Sequence, residues 1–117
     1  MIPGNPPDIP QAMQSAVRQL QAGAFDEAAQ ICRDILAVDV GFGPASHVLG
    51  IALHRQGQSD EAVRHIRNAI EIDPGVVDAY NNLGNVLKEM GRVDEAIANF
   101  KKAIELRPDF AMAHYNL

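Results

Sequence analysis

A phrase of glycine, two variable residues and Asp-Glu-Ala returns every 34 residues along this chain of 117. It reads Gly23 with Asp26-Glu27-Ala28, Gly57 with Asp60-Glu61-Ala62, and Gly91 with Asp94-Glu95-Ala96. At a background usage of roughly 5–9% per residue type, one chance recurrence of that tetrad at a set distance is about a one-in-50,000 event. Three copies are therefore internal repetition. A period of this length means stacked supersecondary units, each too small to bury its own apolar face, and such stacks more often hold other proteins than transform substrates.

The phrase itself predicts a turn between two helices. Gly accepts the left-handed conformation that closes a helix C-terminus, and the acidic pair that follows can cap or complement the positive end of the next helix. Pro74 and Pro108 stand where the second helix of a pair must stop. The pattern predicts helices over Ile9–Gln21, Asp26–Val38, Pro44–Gln56, Ser59–Ile72, Val77–Met90, Asp94–Leu106 and Ala111–Leu117. Residues 1–8, rich in proline, read as an extended or flexible leader.

More columns agree when the chain is folded at the same period: Leu49, Leu83 and Leu117; Gly50 and Gly84; Ala45, Ala79 and Ala113; Ala69 and Ala103; Ile70 and Ile104. Within one helix they fall three and four apart, as in Ala62, Ile66, Ala69, Ile70, so each helix carries one apolar stripe. Aromatics are only 5% of the chain and Trp is absent, so the interior is built from Ala, Leu, Ile and Val, which suits helices in close approach.

On these columns the chain resembles the tetratricopeptide repeat family. The family pattern of a large residue, Leu-Gly, an apolar residue, Gly, Ala, an aromatic, Ala and Pro falls on Tyr80, Leu83-Gly84, Leu87, Gly91, Ala96, Phe100, Ala103 and Pro108. The preceding copy has Leu49-Gly50, Leu53, Gly57, Ala62, Ile66, Ala69 and Pro74, with Ser46 at the large position. The first copy is degenerate, with Ala12, Ser15-Ala16, Gln19, Gly23, Ala28, Cys32, Ile35 and Val40. The resemblance implies an all-α, right-handed superhelical solenoid of about seven helices. Its units would be a degenerate repeat at 9–42, repeats at 43–76 and 77–110, and the first helix of a fourth at 111–117. It also implies that the first helices line a concave groove that takes a protein or peptide ligand, extended or helical.

Helical geometry assigns the inner faces of the first helices. They are Met13, Gln14, Val17, Leu20 and Gln21; His47, Val48, Ile51, His54 and Arg55; Asn81, Asn82, Asn85, Lys88 and Glu89; then Tyr115 and Asn116. The candidate groove residues are Met13, Val17, His47, Ile51, His54, Arg55, Asn81, Asn82, Asn85, Lys88, Tyr115 and Asn116. The N-terminal half is apolar and the C-terminal half amide-rich. Asn side chains both donate and accept, which suits an extended peptide backbone. The Asn run is similar to the groove of the repeat domain in protein O-linked N-acetylglucosamine transferases, while the plainer reading is that Asn is merely a soluble choice there. The apolar patch of Met13, Val17, Val48 and Ile51 calls for a cover from a partner helix, the leader or a second copy, unless these residues pack on their own neighbouring helices. Family members that clamp a carboxylate tail spread Lys and Arg over three first helices. Arg55 and Lys88 are the only groove bases here, which disfavours a receptor for heat-shock chaperone tails.

Other chemistries find no footing. The net charge of −5 divides as −3, −1 and −1 over 1–42, 43–76 and 77–117, so no segment is basic enough for a phosphate backbone. His47 and His54 lie two turns apart, about 10 Å, too far to share one ion without a third element. No metal, cofactor or catalytic residue is predicted: the Asp-Glu pairs belong to helix starts, and neither a phosphate loop nor a Ser-His-Asp grouping can be placed. Cys32 takes the place filled by Ile66 and Phe100 in the other repeats and reads as a buried small hydrophobe. One cysteine, no spanning apolar run and no secretory start make the cytoplasm the default compartment.

The last helix is unpaired in sequence. That predicts an edge at Phe100, Ile104, Phe110, Met112 and Leu117, with Tyr115, through which copies associate. The expected function is a non-catalytic binding scaffold. The alternatives are the substrate-recruiting repeat segment of a larger enzyme, such as a glycosyltransferase of the O-GlcNAc type, and a self-associating structural module.

Overall fold

A computed structural model describes residues 8–117. The helices are α1 (Ile9–Gln21), α2 (Phe25–Val38), α3 (Gly43–Arg55), α4 (Ser59–Ile72), α5 (Val77–Glu89), α6 (Val93–Leu106) and α7 (Ala111–Asn116), and no strand occurs among the described residues. Each helix packs on the next, and α1, α3, α5 and α7 also touch in succession. The first helices therefore form one layer of an all-α helical-repeat solenoid measuring 46 × 26 × 22 Å. Most of the predicted leader lies outside the described residues. Its last residue, Asp8, is the N-cap of α1, where Oδ1 accepts from the Gln11 N–H at 3.3 Å.

The turn within each pair is the same device three times. Gly23, Gly57 and Gly91 have φ of 81°, 81° and 80°. The residue after each glycine donates its N–H five residues back: Ala24 to Gln19 O at 2.8 Å, Gln58 to Leu53 O at 2.9 Å and Arg92 to Leu87 O at 2.8 Å. This closure satisfies carbonyls that the helix end orphans, and it delivers the chain to the next helix at one fixed residue. Consequently α2, α4 and α6 all start in one column, at Phe25, Ser59 and Val93. The sequence expectation of starts at Asp26 and Asp94 was one residue late. Those acids form no side-chain cap; they sit inside the first turn and complement the helix dipole. The first helices likewise begin in one column, so α3 runs Gly43–Arg55 and not Pro44–Gln56. The remaining differences are ends one residue shorter, at Glu89 and Asn116.

Glycine has a second use in the helix middles, where helices cross. A Cβ on Gly50 would stand 2.5 Å from Ile66 Cγ1, and one on Gly84 would stand 2.5 Å from Phe100 Cε1. The ring of Phe100 thus lies against bare backbone, and Phe100 is 1% exposed. That removes it from the self-association edge predicted from sequence, because the residue on its partner helix is a glycine and leaves room for the ring. One continuous core joins the first three helix pairs, and a smaller cluster of Tyr80, Ala103 and Ala113, with Ile70, Val77, Ile104 and Phe110 packed on it, closes the far end. Tyr80 Oη donates to Pro74 O at 2.8 Å, tying α5 to the loop before it. In the preceding pair the equivalent position holds the buried Ser46, whose hydroxyl accepts from Asn68 Nδ2 at 3.0 Å.

Candidate functional site

The inner faces of α3 and α5 enclose an open cleft of about 720 Å³, lined by Ile51, His54, Arg55, Ile66, Asn82, Asn85, Val86, Lys88 and Glu89. A smaller cleft of about 320 Å³ adjoins it on the α1 side, bounded by Leu20, Gln21, Gly23, Phe25 and the same Ile51 and Arg55. Six of the twelve candidate groove residues therefore meet in the main cleft: Ile51, His54, Arg55, Asn82, Asn85 and Lys88.

The other six lie elsewhere. Met13 and Val17 pack partly against the core, beside a Val48 that is 9% exposed, so the apolar half of the inner layer is largely covered by its own neighbours. His47 is half-buried outside the cleft lining, Asn81 is buried at 5% exposure, and Asn116 is half-buried against it. Tyr115 is 87% exposed.

Several of these polar residues bind one another across neighbouring first helices. Asn82 Nδ2 lies 2.8 Å from His47 Nε2, His54 Nε2 lies 2.9 Å from Glu89 Oε2, and Asn116 Nδ2 donates to Asn81 Oδ1 at 3.0 Å. Each pair is separated by one repeat plus one residue. Burial pushes the His47 imidazole below the usual histidine range, only partly opposed by the Asp78 carboxylate. Where Nε2 accepts from the Asn82 amide, the Asn82 carbonyl oxygen is left for a ligand. His54 gives Nε2 to Glu89, while its Nδ1 is buried without a partner.

What remains uncommitted is concentrated in the cleft. Among the described residues, Asn85 makes no side-chain hydrogen bond, and neither Arg55 nor Lys88 has an ion-pair partner. Glu89 was placed on the inner face from sequence but not among the candidates. Its partner His54 stands at the matching place one repeat plus one residue earlier, a spacing that the 34-residue period alone does not reveal.

Elsewhere the chemistry is quiet. Burial pushes the Cys32 thiol up to about 12, opposed only by Arg33, which disfavours the thiolate that reactivity requires. Among the described residues no three His, Cys, Asp or Glu gather to hold a metal ion. No helix there is long and apolar enough to cross a membrane.

A stack of helix pairs whose first helices wall a polar cleft defines a helical-repeat scaffold. Two family models, described as Tetratricopeptide repeat and TPR repeat, match residues 77–110 and 50–91. The chain belongs to the tetratricopeptide repeat family. Among solved structures, MamA superposes with a TM-score of 0.88 at 24% identity, over 96% of this chain and 66% of that one. A Thermobaculum terrenum O-GlcNAc transferase mutant gives 0.88 at 31% identity, over 91% of this chain and 20% of that one. The first TPR of Spaghetti, bound to an HSP90 peptide, gives 0.86 at 18% identity, over 91% and 84%. The chain thus spans about two-thirds of MamA and a fifth of the transferase. No curated protein matches the sequence significantly.

Proposed function

We propose that the chain is a non-catalytic docking module that holds an extended polypeptide segment along its concave face, seated mainly in the α3–α5 cleft. We divide it into repeats at 9–42, 43–76 and 77–110, with the first helix of another at 111–117. The observation that carries the reading is the set of uncommitted groups converging on an open cleft of about 720 Å³: the Asn85 amide, the Asn82 carbonyl, Arg55 and Lys88. Amides spaced along a helix face match the alternating donors and acceptors of an extended backbone, and the two cations favour an acidic side chain beside it. A structural relative, the Spaghetti domain, is itself bound to a peptide. Two cations on two helices do not make a clamp spread over three, so a chaperone tail is not the ligand proposed.

The test is selection from a random displayed-peptide library, followed by measurement against a variant. Peptides that bind the intact chain should weaken at least about tenfold against Asn85→Ala with Lys88→Glu. Equal binding to the variant would remove the cleft as the seat.

The 31% identity with the transferase favours a second reading, in which the chain is the substrate-recruiting repeat segment of a larger enzyme. A reading frame without a catalytic domain would reject it. Self-association through the far end rests on exposed Met112 (55%), Tyr115 (87%) and Leu117 (52%), with Ile104 and Phe110 beneath. Strictly monomeric light scattering at tens of micromolar would reject that.

A further inference from the structure

The edge where one helix pair hands over to the next is both apolar and acidic. Val38, Ile72 and Leu106 are the last residues of α2, α4 and α6, and they are 53%, 42% and 40% exposed. Val40, in the loop that follows the first of them, is 82% exposed. These exposed side chains form a row, one step per helix pair, along a single edge of the solenoid. Between the first two loops lies a slot of about 320 Å³ lined by Phe42, Pro44, His47, Ile72 and Val76, among others. Gly43, in the column held by Val77 and Ala111 in the later pairs, is one of its lining residues. The slot shares no residue with the α3–α5 cleft.

The charge on this edge is one-sided. Residues 37–44, 71–78 and 105–112 contain six of the fifteen acids, Asp39, Glu71, Asp73, Asp78, Glu105 and Asp109, and one of the ten bases, Arg107. Nine acids and nine bases remain elsewhere, so the whole net charge of −5 belongs to these three segments. Only Glu105 has a base within ion-pair distance among the described residues, Lys102 at 3.6 Å. Arg107 stands 5.4 Å over the Phe110 ring instead. Asp39 and Asp73 each accept their own loop's N–H with Oδ1, at 3.2 and 3.0 Å, which fixes the carboxylates outside the helices without neutralising them.

We propose that this loop edge is a second interaction surface, and that its occupant is a cationic amphipathic helix of a partner protein. An exposed apolar row needs an apolar counterpart, and uncompensated carboxylates beside it need bases. A helix with one apolar stripe flanked by Lys or Arg offers both. Neighbouring helices pack about 8–10 Å apart, so the two steps between the three members of the row span roughly 20 Å, the length of about fourteen helical residues. A second copy of the chain brings the same negative edge, and its nine bases outside that edge are matched by nine acids. Nucleic acid and anionic lipid are repelled by it.

The probe is a labelled helical peptide of about fourteen residues, leucine on one face and lysine on the other, with glutamate replacing lysine in a control. The leucine-lysine peptide should bind in the micromolar range and weaken several-fold between about 50 and 300 mM salt. The control should not bind. Glu71→Gln with Asp109→Asn should weaken it roughly threefold to tenfold, and so should Val40→Ser, a change at a position too exposed to disturb the fold. Amide shifts in two-dimensional NMR should centre on Val40, Ile72, Val76 and Leu106. Shifts centred on Ile51, Asn85 and Lys88, equal binding of the control, unchanged affinity in both variants, or no binding at about 100 µM would each overturn the proposal. So would a dimer in sedimentation that Val40→Ser abolishes, since the edge would then belong to a second copy.

Discussion

Gly84→Ala opposes two effects whose sizes differ enough to decide the outcome. In an exposed helix the change is favourable by about 0.8–1.0 kcal/mol, because alanine restricts the unfolded chain and suits the helix. At Gly84 the new Cβ would lie 2.5, 2.7 and 2.8 Å from three carbons of the Phe100 ring, where contact requires about 3.5–4.0 Å. The ring must retreat by about an ångström, and at 1% exposure it has only packed neighbours to retreat into. Overpacking of this kind costs about 1–3 kcal/mol, and more when the neighbour is a rigid ring. With the cost at about 2–3 kcal/mol, the upper part of that range, for a rigid ring, the net expectation is a loss of about 1–2 kcal/mol, or roughly 5–10 °C in Tm for a domain near this size. Unfolding in urea, followed by circular dichroism, measures it. Phe100→Leu alone should also destabilise, through lost burial, but the double variant should be milder than the sum by about 1 kcal/mol or more. If Gly84→Ala is neutral or stabilising, or if the two changes are additive, the ring does not lie on that backbone and the packing argument fails.

The turn glycines should behave in the opposite manner. Gly57→Ala meets open space, yet its φ of 81° costs about 1–2 kcal/mol from the backbone alone, and no second substitution should rescue it. The pH dependence follows from His47 and His65. His47 is held below 6.5 chiefly by burial, and His65 chiefly by burial with Arg64 and Arg33 adding to it. Because the unfolded chain takes up these protons first, stability should be full above about 6.5 and fall as pH drops below it, levelling once the folded rings also protonate. His47→Gln with His65→Gln should flatten that slope in urea titrations, and an unchanged slope would contradict the assignment. Cys32 should resist an aromatic disulfide reagent at mildly alkaline pH until denaturant is added. Rapid reaction of the native protein would show that the thiol is not buried as described.

The fold was legible because its controlling residues act locally. A left-handed glycine, a proline after the second helix and an apolar stripe each work within a few residues, and the 34-residue period repeats them three times. Helix starts at Asp26 and Asp94 were misplaced because acid in a first turn looks like a cap, whereas the glycine closure alone selects the starting column at Phe25, Ser59 and Val93. Phe100 was misread for a different reason. Whether an aromatic at the end of a stack is edge or core depends on what faces it, and Gly84 lies sixteen residues away on another helix.

The site was half legible for a geometric cause. Residues equivalent by repeat are 34 apart, but the pairs that touch, His47 with Asn82, His54 with Glu89 and Asn81 with Asn116, are 35 apart. The extra residue reflects how successive first helices are offset when they pack, which no single helix encodes. Column reading therefore found the amides but not which are occupied. Asn81 serves its neighbour's amide from inside the layer, Asn82 serves a histidine with one end, and Asn85 serves neither. Three asparagines on one helix face thus hold three different capacities for a ligand. Met13 of α1 and Val48 of α3, also 35 apart, are both apolar and belong to the same core. The polar exchange begins only at α3, and the main cleft opens between α3 and α5, where the helix contacts end in groups that retain unused hydrogen-bonding capacity and free charge.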